Sequence, residues 1–282
     1  MSTWVGTGIG YRRTYRAALG QPSSASRPAV LEVMPDHFFA NPSAIDELAD
    51  IPLVFHDVGL SIGTAPGRAD LVTQARLEQV RALVRRAKPL LVSDHLAITR
   101  SPSGVDVGHL CPVLPNRATL ALVLDRVRAW HDLLELPIAL ENIAHPFELK
   151  ADLSEAELFS ELVARTGCGM LLDLTNLVLD AKNFGFDPVA RLEQYPLEAV
   201  WQVHLAGGVR VDGFWVDSHG APVGRTELDL LARLRRRARG LRAIIVERDH
   251  NLPSLSELLA EAGEAERIWF ASPEKETICQ PI

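Results

Sequence analysis

Eight short apolar runs, seven of them ending at or beside a polar residue, most constrain what this 282-residue chain can become. They are Val5 to Ile9, Ala29 to Val33 (ending beside Glu32), Leu53 to His56 and Leu90 to His95, then Ile138 to Glu141, Gly169 to Asp173, Val200 to Leu205 and Ala243 to Glu247. Unbroken apolar runs of this length are the pattern of strands buried on both faces, as in parallel sheets covered by helices. Between them, Leu71 to Ala87, Ala118 to Leu134, Glu155 to Arg165 and Glu227 to Arg239 carry apolar residues at helical spacing. Asn116 and Ser154 stand where helix N-caps belong. Strands alternating with helices predict a (β/α)8 TIM barrel, one domain over residues 1–282 with a short C-terminal tail from about residue 265. A doubly wound open sheet is the alternative. It lacks support because no Gly-rich phosphate turn follows the first strand at the fingerprint spacing.

Composition narrows the function classes. No apolar run reaches membrane-span length. The segment Met1 to Leu19 lacks the basic, apolar, small-residue order of a signal peptide, so a cytoplasmic location is expected, with no membrane partner. Cys111, Cys168 and Cys279 are odd in number and widely spaced, which fits neither a disulfide framework nor a thiolate zinc site. The net charge of −7 argues against a nucleic-acid partner, which needs a basic face. Ser23 to Arg27 is a short biased patch that reads as a loop.

The chemistry gathers at the strand ends. His56, His95, Glu141, Asp173, His204 and Glu247 end strands three to eight, and Glu32 lies near the end of the second. Two long connections follow strands four and seven, Ile98 to Pro115 and Gly207 to Gly224. The second carries Asp217 and His219, and its alternation around Asp212-Gly213 predicts a hairpin. In a parallel barrel all strand C-termini face one side. Each residue alone has an ordinary reading: Asp173, three before Asn176, is a natural helix N-cap. Together, the carboxylates repel one another unless cations intervene. Mixed histidine and carboxylate ligation suits iron, zinc or manganese, and so many donors imply two or three ions bridged by a carboxylate.

The segments HDVGLSIG at His56, SDHLAIT at Ser93, ENIAHPF at Glu141, LLDLTNLVLDAKNFGFDP at Leu171, QVHLAGG at Gln202, DSHGAPV at Asp217 and VERDHNLPSLSELL at Val246 are specific. Over Gly8 to Leu259 the chain resembles the multinuclear non-heme iron-dependent oxidative enzymes, which include the methanobactin-biosynthesis oxidase. The resemblance implies a xylose isomerase-like barrel, related in layout to endonuclease IV. It implies two or three irons in mixed ferrous and ferric states, O2 as co-substrate, and oxidation of a residue, usually Cys, in a ribosomally made precursor peptide. A partner protein that reads the leader peptide is also implied. By position, His56, His95 and Glu141 would hold one iron, and Glu141 would bridge to a second held also by Asp173, His204 and Glu247. Asn176, Asp217 and His219 would form a third, looser site, since a neutral amide is a poorer ligand than imidazole. Glu32, Asp94, Asn142, Arg248 and Asp249 are candidates to orient those ligands, their ordinary reading being caps and ion pairs.

Departures from the family pattern fall at Thr175, Phe184-Gly185, His250 and Ile143-Ala144. These read as substrate-side positions and leave the metal set intact. Trp215 and Cys111, on the two long connections, are further candidates to face substrate. The Arg233 to Arg239 run reads as a solvated helix face, or as an attractor for an acidic leader. Other readings of the same barrel are an endonuclease IV-like phosphodiesterase, a sugar isomerase or epimerase, and a binding module. The acidic charge and Asn176 tell against the first, and no lysine near a strand end serves the second.

Overall fold

Each apolar run becomes a strand because its residues can be covered twice, by neighbours inside the barrel and by helices outside. The computed structural model describes residues 4–20 and 27–271. Ser23 to Ser26 of the biased patch and Cys279 lie outside the described residues. The chain runs β1 (Gly6–Gly10), α1 (Arg16–Leu19), β2 (Leu31–Val33), β3 (Leu53–Asp57), α2 (Ala69–Ala87), β4 (Val92–His95), β5 (Ala97–Arg100) and β6 (Asp106–Pro112). There follow α3 (Arg117–Leu134), β7 (Ile138–Glu141), α4 (Glu155–Thr166), β8 (Gly169–Asp173), α5 (Leu174–Phe184), α6 (Pro188–Leu192) and β9 (Val200–Leu205). The last elements are β10 (Gly207–Val211), β11 (Phe214–Ala221), α7 (Arg225–Leu234), β12 (Ala243–Val246) and α8 (Leu255–Phe270). Eight strands close a parallel barrel in the order β1-β12-β9-β8-β7-β4-β3-β2.

Side chains alternate across a strand, so residues two apart share a face. Val54 and His56, Ala139 and Glu141, Leu171 and Asp173, and Ile245 and Glu247 are such pairs. The first member of each pair packs in a small apolar cluster with Val30, Leu91 and Ala243. The second stands one layer nearer the C-terminal face. Register keeps these ends level: His95 pairs with Glu141, and Asp173 with His204. The larger apolar cluster fills the shell between strands and helices. Gly8 is where β1 crosses closest to its neighbour, since a Cβ there would lie 1.8 Å from the Val30 carbonyl oxygen.

Helix starts follow local chemistry. Asn116 caps α3 by accepting from the Thr119 amide, and Ser154 forms a capping box with Glu157 on α4. Two expectations need correcting. Helix α7 stops at Leu234, so Arg235 to Arg239 do not extend a helical face; Arg237 instead pairs with Glu193 at 3.3 Å and Glu198 at 3.0 Å. At the C-terminus, α8 continues to Phe270, past the start expected for a tail, because Leu258, Ala262 and Ala265 bury one face of it.

Both long connections fold into hairpins. Gly207 to Gly224 forms β10–β11 as its alternation predicts, with Asp212 and Gly213 at positive φ in the turn. The connection after β4 also forms a hairpin, β5–β6, which the sequence did not signal. The two bracket the mouth of the barrel: Leu110 of β6 and Asp217, Ser218 and His219 of β11 line the same opening.

Candidate metal centre

Seven strand ends deliver the side chains, and distances show how they meet. Glu141 sits at the centre. Its Oε2 lies 3.3 Å from His56 Nε2 and 3.3 Å from His95 Nε2, while Oε1 lies 3.3 Å from His204 Nδ1. His204 Nδ1 is also 3.0 Å from Glu247 Oε2. His219 continues the chain of contacts. Its Nε2 is 2.9 Å from Asp217 and 3.6 Å from Asp173, and its Nδ1 is 3.3 Å from both Glu247 and Asp249. Four overlapping triplets result: His56, His95 and Glu141; Glu141, Asp173 and His204; Glu32, His204 and Glu247; and Asp173, His219 and Glu247. In each, the ligand atoms all lie within 4.8 Å of one another.

A surrounding set of bonds fixes which atom faces inward. His56 Nδ1 contacts Ser93 Oγ at 2.9 Å, leaving Nε2 for the centre. His204 Nε2 contacts Glu32 at 2.7 Å, leaving Nδ1. Gln202 donates to Glu32 and so holds that carboxylate in place. Asp94 accepts from the Leu60 amide at 2.8 Å and lies 3.6 Å from His95 Nδ1. Asn142 pairs with the backbone of Asp173 in both directions, at 3.0 and 2.9 Å. Asp173 also caps α5, accepting from the Asn176 amide at 2.7 Å. The N-cap role and a place in the cluster are therefore compatible, because the cap uses Oδ1 and leaves Oδ2. Arg12 pairs with Asp249.

Arg248 is placed differently from its expected role. Glu247 points inward, so the next residue points out, and the Arg248 guanidinium pairs with Glu261 on α8 at 2.9 Å. Leu110 rather than Cys111, and Asp217 to His219 rather than Trp215, line the mouth. Trp215 instead sits beneath the Lys182 ammonium, 4.3 Å from its ring centre. Sequence reading missed Ser93 and Gln202, although each stands two residues before a strand-end histidine and so shares its face. Arg12, on the loop after β1, carried no such signal.

The electrostatics are those of a cation site. Glu32, Glu141, Asp173, Asp217, Glu247 and Asp249 bring six carboxylates together, and Arg12 is the guanidinium that pairs with two of them. On side-chain charges alone, burial would raise the Glu141 pKa, but His95, His204 and His56 outweigh it and hold it at about 2. Burial would lower His95, but Glu141 and Asp94 carry it up to about 9. For His56 burial wins, helped by its histidine neighbours, and the pKa falls to about 3. Burial lifts Asp173 to about 6.

Buried atoms of this cluster make no hydrogen bond, among them Glu141 Oε2, Asp173 Oδ2, His204 Nδ1, Asp217 Oδ1 and His219 Nε2, and nearby Asn176 Oδ1 makes none either. Buried polar atoms are almost always paired, and such exceptions call for an ion or water. The donors are nitrogen and oxygen without thiolate, which fits mid-series divalent metals. The residues therefore fit a multinuclear metal cluster.

The profile of the family described as "RiPP precursor modification enzyme MbnB/TglH/ChrH" matches residues 6–269. The chain belongs to this family. RiPP modification enzymes of this kind act on a ribosomally made precursor peptide, so the protein is an enzyme with a peptide substrate. A UPF0276 protein of Caulobacter vibrioides (strain NA1000 / CB15N) is 34% identical over 94% of this chain and 95% of its own length. Another, from Streptomyces avermitilis, is 36% identical over 92% of this chain but only 54% of its own length, so this chain spans about half of that relative. Among solved structures, endonuclease IV from Thermus thermophilus superposes with a TM-score of 0.61 at 17% identity, covering 94% of this chain and 98% of that one. A xylose isomerase-like TIM barrel protein from Mycobacterium smegmatis gives 0.61 at 13% identity, covering 95% and 98%. At such identities the likeness establishes the barrel and nothing further. Among the described residues, no helix is long and apolar enough to cross a membrane.

Proposed function

We propose that this RiPP modification enzyme is an oxidase that uses two or three irons and O2 to oxidise a cysteine of its precursor peptide. The observation that carries the reading is Glu141, which faces three histidines with its two oxygens at 3.3 Å and belongs to two ligand triplets. One iron would be held by His56, His95 and Glu141, and a second by Glu141, Asp173, His204 and Glu247. A third would take Asp217 and His219, with the Asn176 amide oxygen nearby. Iron held there would supply one-electron chemistry with O2, and the nitrogen and oxygen donor set leaves room for a substrate thiolate.

The chain's own residues prepare the site. Glu32 and Ser93 set the tautomers of His204 and His56, as second partners of metal-bound histidines do. Asn142 ties β7 to β8, so Glu141 and Asp173 keep a fixed spacing. Met34, Val58 and Leu110 give the mouth apolar walls that limit water. Arg12 holds Asp249, which faces His219 Nδ1, so the loop-borne histidine is fixed from both ends. A partner protein would present the leader peptide, and the cytoplasm would be the compartment.

The test is metal analysis after anaerobic purification and iron reconstitution. Two to three irons per chain, and a visible charge-transfer band on thiol addition, support the oxidase. Fewer than two ions per chain, or zinc alone supporting DNA cleavage, refutes it.

A further inference from the structure

A second cavity opens on the same face of the barrel, away from the cluster, between the foot of the β5–β6 hairpin and α5. It measures about 190 Å³. A water takes roughly 30 Å³ of liquid, and native interiors leave few voids larger than one water. This space is therefore larger than a packing flaw. Leu149, Leu153 and Phe184 supply apolar wall, and Glu148, Arg191 and Gln194 add polar groups to the same lining. Leu114 and Phe147, neighbours in sequence of lining residues, are exposed by 45% and 56%. Apolar side chains thus reach the surface where the cavity opens.

Its polar end is built. His145 is clasped by Asp180: the backbone amide donates to Oδ1 at 2.8 Å, and Nδ1 meets Oδ2 at 2.7 Å. Tyr195 donates its hydroxyl to Glu155 Oε2. That leaves His145 Nε2 facing Glu155 Oε1 across 3.7 Å, too far for a hydrogen bond. Burial works against charge on His145, but Asp180 and Glu155 prevail over it and over the nearby Arg191 and raise its pKa. A hydroxyl seated to one side of the pair, within hydrogen-bond reach of both, would donate to Glu155 Oε1. The site thus offers apolar wall beside a cluster of hydrogen-bonding groups, which suits a phenol, a ring that carries one hydroxyl.

We propose that this cavity seats a tyrosine-type side chain of the precursor peptide, three or four residues from the residue that reaches the metal cluster. The spacing follows from the chain. His145 lies four residues beyond Glu141, at most about 14 Å away. Asp180 lies seven residues beyond Asp173, a rise of roughly 10 Å along α5. An extended peptide advances about 3.4 Å per residue, so three or four residues cover that gap. The spacing rests on the proposed function; the occupancy of the cavity by a phenol does not.

Two probes separate them. In the first, p-cresol and toluene are titrated into metal-free protein and followed by NMR of the leucine methyl groups. p-Cresol should shift Leu149 and Leu153 saturably, and toluene should bind about tenfold more weakly for want of the hydrogen bond. Leu149→Trp, at a half-exposed wall position, should abolish the shifts while the protein stays folded by circular dichroism. Leu153→Trp serves as a second filling variant. In the second, zinc-loaded protein is titrated with Ac-Tyr-Gly-Gly-Cys-NH2 and Ac-Tyr-Cys-NH2. The spaced peptide should bind at least tenfold tighter, and Leu149→Trp should erase the difference. Equal binding of p-cresol and toluene, or p-cresol shifts that persist in both filling variants, overturns the pocket. Equal affinity of the two peptides, with cysteine contributing to both, overturns the anchor. If cysteine contributes at no spacing while p-cresol still fills the cavity, the thiol reading of the metal centre fails and the pocket stands.

Discussion

Loading the cluster should release protons, and the number can be worked from the side chains. In the metal-free protein His95 has a pKa of about 9, and His204 and His219 lie well above their ordinary 6.5. Each must lose its proton before its nitrogen can bind an ion. His56, at about 3, is already neutral at pH 7 and contributes none. Glu141, at about 2, is already ionised. At pH 7, stripping His95 alone costs about 3 kcal/mol, two pH units at roughly 1.4 kcal/mol each, or about a hundredfold in apparent affinity. The sign is fixed: because these histidine pKa values are raised, apparent affinity climbs with pH from 6 to 8, about tenfold per unit per proton released. Zinc is a suitable redox-silent probe. Calorimetric titrations in buffers of different ionisation enthalpy read the proton count directly, and about three should leave as the cluster fills. His95→Gln should lower the count by one. Metal uptake without proton release, or an affinity flat from pH 6 to 8, would refute the assignment of these histidines as ligands.

Glu141→Gln should lose more metal than any single histidine substitution, since it removes both a shared donor and a charge offsetting the ions' repulsion; full metal content by elemental analysis would end the bridging assignment. Asp217→Ala with His219→Ala should remove one ion and leave two, because these residues sit on a hairpin while the others sit on barrel strands; loss of every ion would show that the sites are inseparable. Leu162→Ala, at a fully buried position in α4, should cost about 2–5 kcal/mol, read from urea unfolding. The His145–Asp180 pair should stabilise the fold fully below the ordinary histidine pKa and lose that contribution as pH rises through the raised one; the gap in melting temperature between wild type and Asp180→Asn should therefore narrow from pH 6 to pH 9.

Much of the barrel was legible because its strands obey one simple rule, apolar throughout and polar at the C-terminal end. Ile138 to Glu141, Gly169 to Asp173 and Val200 to Leu205 match the observed strands residue for residue. The candidate ligands were legible for the same reason, since a histidine or carboxylate ending a buried run is conspicuous. Less legible was whatever depends on partners distant in sequence. The β5–β6 hairpin has weak alternation and a bulge between Ile98 and Arg100, so no period marks it. Arg248 looks like a site residue beside Glu247, and only strand alternation followed by its pairing with Glu261 sends it outward. Arg12 reaches Asp249 across 237 positions, a contact no local pattern encodes.

The level register of the strand ends bears on how the protein is made. The candidate ligand atoms come from β3, β4, β7, β8, β9 and β11 and from Glu247 immediately after β12, so the set is scattered from residue 56 to residue 247. A nascent chain still on the ribosome can offer His56, His95 and Glu141 early, but Glu247 arrives only when the final strand docks between β1 and β9. A complete centre therefore exists only in a chain whose first and last strands have met. Metal occupancy would then serve as a report of finished folding, and a truncated or misclosed chain would be an incomplete chelator.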